Sequence, residues 1–147
     1  MKESDGQKAF VRWLRLKKIT HFAPINENLY SGILRKYLKP ALASMVIAII
    51  ENFLKAMGKR KGVSDIVVLL PGARTVFIEM KRDQKSKLTA EQTDWKNEVE
   101  ALGFQYYLCV GVDHAINTVA ALLDGSEALL DGSIDDNLRV FEIDDCK

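Results

Sequence analysis

Hydrophobic residues recur at helical spacing from Gln7 to Lys18. Ala9, Phe10, Trp13, Leu14 and Leu16 make an apolar stripe, and Lys8, Arg12, Arg15, Lys17 and Lys18 take the other positions, so an amphipathic helix is predicted. Ile19 to Ile25 reads as a short strand that Pro24 ends, and Asn26 to Gly32 as a loop. A helix is predicted from Pro40 to Met57, since proline's missing N–H costs nothing in a first turn; Gly58 stops it. The basic, glycine-flanked loop GKRKGVSD follows. Asp65–Leu70 (DIVVLL) is a predicted strand, Pro71-Gly72 a turn, and Thr75–Lys81 (TVFIEMK) a second strand. Thr89–Leu102 is a predicted helix, capped by Thr89 with Gln92 three positions on and closed by Gly103. Phe104–Val110 reads as a strand, His114–Leu123 as a helix, and Leu138–Ile143 as a candidate edge strand. Helices interleaved with a hairpin and a strand that returns after a helical crossover define a mixed α/β domain.

Composition sharpens this outline. At 147 residues and 48% apolar, the chain suits one domain with a real core. The expected division is one compact domain over 1–123 and an acidic tail over 124–147, in which 8 Asp/Glu face 2 Lys/Arg. Cys109 sits in an apolar run and Cys146 in the tail; neither belongs to a CxxC or Cys/His cluster, which argues against zinc and against a disulfide framework. The first ten residues lack the apolar core of a signal peptide. The longest apolar run, Ala41 to Ile50, falls far short of the ~20 residues of a membrane helix and reads as a buried helix or an oligomer contact. The expectation is therefore a cytoplasmic protein with no membrane partner. A net charge of +1 hides an asymmetry: residues 1–62 carry 13 Lys/Arg against 4 Asp/Glu, and residues 63–147 carry 8 against 16. The basic half has the charge that nucleic acid attracts, although a solvated helix surface has the same composition.

The hairpin carries the candidate chemistry. Asp65 opens its first strand, and Glu79 and Lys81 end its second within an apolar segment. Residues two apart share a strand face, so Glu79 and Lys81 point together while Val76, Ile78 and Met80 point oppositely. Charges in such a setting need partners or a metal. Two carboxylates, with the Met80 carbonyl beside them, offer hard oxygen donors suited to Mg²⁺ or Mn²⁺, and such a cation with a nearby lysine is what phosphodiester hydrolysis requires. A bare ExK is usually an ordinary exposed ion pair; Asp65, the hairpin spacing and the glycine-basic loop change those odds. The site also imposes a geometric condition. A tight two-residue turn at Gly72-Ala73 would pair Asp65 with Met80 and set the two carboxylates on opposite faces, so the hairpin must contain an odd-length loop or a bulge.

GKRKGVSDIVVLL followed by VFIEMK resembles the PD-(D/E)xK nuclease signature, with Ser64 where a proline usually stands. The proline is not a catalytic group, so this departure leaves the chemistry intact. More narrowly, the chain resembles the virus-type replication-repair nuclease (VRR-NUC) family. Gly58, Gly62 and Asp65 match its GxxxGxxD loop and Glu79 and Lys81 its ExK; Leu88, Gln92 and Trp95 match its LSxxQxxW stretch. HFAPINEN is similar to its HxPNE stretch, with one extra residue between Pro24 and Asn26, and Glu3 with Gln7 to its ExxxQ. The resemblance spans roughly residues 3–120. It implies a restriction-endonuclease-like core with a mixed β-sheet flanked by helices. It also implies that Asp65 and Glu79 are metal ligands, that Lys81 is the catalytic lysine and that Glu27 is a further metal-site acid. Gln92 would contact Lys81 or a phosphate; a plain capping role is the alternative. Trp95, His21 and His114 read as structural.

Lys59, Arg60 and Lys61 flank the site and are candidate phosphate contacts, which give affinity without base sequence. Stand-alone members of the family resemble Holliday-junction resolvases, so the leading expectation is a metal-dependent, structure-specific DNA endonuclease. It would act on branched or junction DNA as a homodimer, in a bacterium or phage-infected host, with the helix at 41–57 as candidate dimer element. A flap or restriction-like nuclease, a non-catalytic DNA-binding module on the same fold, and an assembly subunit using the acidic tail are the alternatives.

Overall fold

A computed structural model of the chain describes residues 3–25 and 27–125, leaving out the side chains of Glu3 and of residues 27–29. Among them are α1 (Glu3–Leu16), β1 (Thr20–Phe22), α2 (Glu27–Tyr37), α3 (Pro40–Ala56), β2 (Ile66–Leu70), β3 (Arg74–Lys81), α4 (Ala90–Ala101), β4 (Gln105–Val110) and α5 (Gly111–Asp124). The strands form one mixed sheet in the order β1-β2-β3-β4. β1 and β3 pair antiparallel with β2, and β4 runs parallel to β3 after the α4 crossover. The architecture is α/β, a four-stranded mixed sheet flanked by helices.

Period-2 alternation sorts the strand residues between two faces. Ile66, Val68, Leu70, Val76, Ile78, Met80 and Cys109 face α1 and α5, whose Phe10, Leu14, Ala115, Val119 and Leu122 complete the main core. Burial pushes the Cys109 thiol up to about 11. The opposite face holds Phe77, Glu79, Lys81 and Tyr106 and is partly covered by α4, with Phe77 edge-on to Trp95.

The segment expected as a loop at Asn26–Gly32 instead contributes the first turns of α2; Asn26 itself lies outside the described residues. Asn28, Ser31 and Gly32 are weak helix formers, and tertiary packing overrides them. Tyr30 and Leu34, four apart, and Leu38 just beyond the helix are half-buried, and α2 packs against α3. The strand expected over Ile19–Ile25 is limited to Thr20–Phe22.

In α3, Pro40 takes the first turn as expected. Its inner side holds buried Ala43 and Glu51, but Leu42, Met45, Ile49, Phe53 and Met57 are all exposed along its outer side. The apolar run is therefore not a buried core helix. Among the described residues no helix is long and apolar enough to cross a membrane. The edge strand expected at Leu138–Ile143, and the tail beyond residue 125, lie outside the described residues.

Candidate active site

The β2–β3 register satisfies the parity condition. Leu70 pairs with Arg74 and Ile66 with Ile78. The loop between the strands thus holds three residues, 71–73, and extending the ladder by one pair sets Asp65 opposite Glu79. Both carboxylates therefore lie on one face at one end of the sheet. Asp65 sits just outside β2, where its Oδ2 accepts the Met80 backbone N–H at 2.9 Å. Its carbonyl accepts from Gln7 Nε2 at 3.3 Å, which ties α1 to the site. Because the N–H and C=O of a strand residue leave on the same edge, the Met80 carbonyl is directed to the side where Asp65 stands.

Glu79 is 1% exposed and Lys81 8%. Burying either charge alone is costly, and they meet in an ion pair, Lys81 Nζ to Glu79 Oε1 at 2.9 Å. Gln92 completes the arrangement: its Nε2 donates to the same Glu79 oxygen, and its Oε1 accepts from Lys81 Nζ at 3.1 Å and from the Thr89 backbone N–H at 3.0 Å. Lys81 and the Thr89 N–H are donors only, which fixes the orientation of the amide. The Gln92 N–H donates to Thr89 Oγ1 at 3.2 Å, so the expected capping box is present. One side chain both caps α4 and holds the Glu79–Lys81 pair.

The glycine-basic loop reaches the site from α3. Of its three cations, Lys59 turns inward, 11% exposed, with Nζ 2.7 Å from Glu51 Oε1 and 3.0 Å from Tyr30 Oη. Buried Glu51 requires that partner, which draws Lys59 into an α2–α3 clamp. Arg60 pairs with Glu98 at 2.6 Å and lies over the Trp95 ring at 5.1 Å, while Lys61 is exposed. The Arg60 guanidinium holds the Glu98 carboxyl below its usual range.

Gly62, at φ 77°, packs so tightly on α4 that a Cβ there would lie 2.3 Å from the Glu91 backbone carbon and oxygen. Ser64 is buried and accepts from Trp95 Nε1 at 3.2 Å, and this contact joins the residue before Asp65 to α4. The Tyr106 hydroxyl is buried, and burial, followed by the negative charges of Glu79 and Asp65, raises its pKa well above the ordinary tyrosine range. Gly62 and Trp95 were read from the sequence as a loop glycine and a structural residue, but the contacts of Ser64 and Tyr106 were not. The offset of three from Gln92 to Trp95 was the available signal for one face of α4; for Tyr106 there was only strand alternation.

Glu27 opens α2, but its side chain lies outside the described residues. His21 Nδ1 is 2.8 Å from the Ile19 carbonyl, and His114 Nδ1 accepts the Val110 N–H at 3.1 Å, so both are engaged locally. Among the described residues no group of three or more His, Cys, Asp or Glu converges on one point. The donor set is two carboxylates with an adjacent backbone carbonyl. These are hard oxygen ligands that fit a Mg²⁺-like cation whose remaining positions are filled by water and substrate oxygens.

None of the curated proteins compared with this chain matches it. A solved structure described as a VRR_NUC domain protein shares its fold, with a TM-score of 0.57 at 18% identity over 84% of this chain and 89% of that one. The model of the VRR-NUC domain matches residues 1–113, which span every element of the site, and the chain belongs to that family of nuclease-type domains.

Proposed function

We propose that the protein is a metal-dependent, structure-specific endonuclease that hydrolyses DNA phosphodiesters, with four-way junctions as preferred substrate and a homodimer as the working form. The observation that carries this reading is the convergence of Asp65, Glu79, Lys81 and Gln92 at one end of the sheet. Asp65, Glu79 and the Met80 carbonyl would hold Mg²⁺ or Mn²⁺, with Glu27 as an additional ligand. Bound there, the ion supplies Lewis acidity toward the phosphate and the attacking water. Lys81, kept in place by Glu79 and Gln92, orients that water and stabilises the charge that builds on the phosphate as it becomes pentacovalent. Asp65, anchored on the Met80 N–H, keeps its carboxylate beside the Glu79 strand without a rearrangement at the moment of reaction. Lys61 lies in the glycine loop for phosphate contacts; the ion pairs of Lys59 with Glu51 and of Arg60 with Glu98 direct those two cations to holding the loop instead.

The dimer is supported by the exposed stripe of Leu42, Met45, Ile49, Phe53 and Met57 on α3, which self-association about a two-fold axis would bury. Such a dimer sets two sites at a fixed spacing, as paired cuts in a junction require. The test is cleavage of labelled four-way junction, flap, duplex and single-stranded DNA by the native protein and by Asp65→Ala, with Mg²⁺, Mn²⁺ or EDTA. Symmetric, metal-dependent cuts in the junction that the variant cannot make are expected. A flap-only product would reassign the substrate, and DNA binding without any cleavage would favour a non-catalytic module.

A further inference from the structure

Beside the glycine loop is a cleft of about 450 Å³, formed where the end of α3 and the segment after β1 approach Trp95. Its apolar walls are Ile25, Leu54, Met57 and Val63, with Trp95 and Arg60 at one side. The volume falls within the roughly 300–1,000 Å³ of small-ligand sites. Ile25 is 57% exposed and Met57 72%, so this apolar lining is open to solvent.

The cleft adjoins the loop that carries Asp65. Val63 is two residues from Asp65, and Trp95 donates to Ser64, the residue before it. An occupant of the cleft would therefore lie beside the loop that carries Asp65. Charge narrows the chemistry. Lys59 and Arg60 both line the cleft, yet Glu51 and Glu98 already neutralise them. The walls thus suit a neutral, flat group with apolar faces better than a phosphate. An indole with a planar guanidinium over it is the kind of surface on which nucleobases stack.

We propose that this cleft receives an unstacked nucleobase next to the phosphodiester to be cut, so that the enzyme selects DNA carrying an unpaired or easily unpaired nucleotide at that position. The assignment rests on the nuclease reading for its placement in the substrate but is tested by binding alone. Base extrusion is least costly where pairing is already broken, as at a bulge or branch point. Selectivity for DNA structure then comes from the ease of presenting one base, without any reading of sequence.

The experiment measures the affinity of the whole protein, in EDTA, for two duplexes of one sequence, one fully paired and one with a single bulged nucleotide. Two controls accompany it: a bulge in which the base is replaced by an abasic residue, and the variant Ile25→Asp. Ile25 is exposed, so this change places a charge in the cleft without disturbing the core. Trp95→Ala would remove the aromatic face and the Ser64 contact together, whereas Trp95→Phe loses the same Ser64 contact but keeps an aromatic face, so it is the second variant. The bulged duplex is expected to bind about tenfold or more tighter than the paired one, as loss of a single base–aromatic stack implies. That ratio should collapse toward one with the abasic bulge and with Ile25→Asp, and survive in large part in Trp95→Phe. Equal affinity for the two duplexes, or a preference unchanged by both the abasic bulge and Ile25→Asp, overturns the assignment. Either result leaves the nuclease reading standing, because that reading falls only if metal-dependent cleavage is absent.

Discussion

Gly62 and Gly58 offer a matched test of how the active site is assembled. Both have positive φ, 77° and 92°, so an alanine at either is strained by about 1–2 kcal/mol from the left-handed backbone alone. Their surroundings differ. A Cβ at Gly58 meets nothing within 4 Å, whereas at Gly62 it would lie 2.3 Å from Glu91 C and O and 2.7 Å from Gln92 N. Those are backbone atoms in the first turn of α4 and cannot rotate away. Overpacking of this kind adds about 1–3 kcal/mol, for roughly 2–5 kcal/mol in all at Gly62. With about 2–4 °C lost per kcal/mol at this chain length, Gly58→Ala should lower Tm by a few degrees and Gly62→Ala by about twice as much or more. The strain at Gly62 can be relieved by moving the loop off α4. That movement would separate Asp65 from Glu79 and Gln92, and a displacement near 1 Å can cost about 100-fold in rate. The assay is thermal unfolding alongside single-turnover cleavage below the transition. If both variants melt alike and cleave alike, docking of the loop on α4 does not set the site.

Three further outcomes follow from named contacts. Lys81→Met leaves Glu79, 1% exposed, without its ammonium, and removing one member of a buried pair costs about 3–5 kcal/mol; the double change with Glu79→Gln should therefore melt above Lys81→Met alone in EDTA, and a simple sum of losses would refute the pairing argument. Thr89→Ala removes the hydroxyl cap at about 1 kcal/mol but keeps the backbone N–H that holds Gln92, so stability should fall while cleavage persists, whereas Gln92→Glu should keep the cap and lose cleavage by setting a second carboxylate against Glu79. Phe53→Asp on the exposed face of α3 should convert a dimer to a monomer in light scattering coupled to size exclusion, and an unchanged mass would remove α3 from the interface.

The hairpin was legible because its pattern restricts the register. Val76, Ile78 and Met80 alternate with Glu79 and Lys81, and an odd loop or a bulge is needed for Asp65 to share the Glu79 face; the register shows three residues in the loop. Thr89 with Gln92 was legible as a cap because the spacing is local. Other features depend on groups distant in sequence. The first part of α2, up to Gly32, was read as a loop because Asn28, Ser31 and Gly32 suppress local propensity, and the helix packs against α3. Lys59 was read as a surface cation because nothing local says that Glu51, one helix end away, will be buried and need it. The apolar run of α3 was ambiguous for a related reason: hydrophobicity marks what avoids water, while only packing shows that Met45, Ile49 and Phe53 are exposed among the described residues.

The contacts of Gln92 explain why an amide suits this position. A helix start needs an acceptor for the Thr89 N–H, and glutamate would serve as well as glutamine. The buried pair asks for more, since Lys81 needs an acceptor and Glu79 a donor within reach of the same side chain. Only a group carrying both can answer three neighbours at once, and a carboxylate there would repel Glu79 in a poorly solvated setting. Capping α4 and holding Lys81 on Glu79 are therefore one constraint. It also fixes where α4 begins relative to β3, and through Gly62 and Trp95 it fixes the approach of the loop that carries Asp65. The precision of the site then derives from the packing of α4 against the glycine loop, with the carboxylates placed at the end of a hairpin whose parity had already brought them to one face.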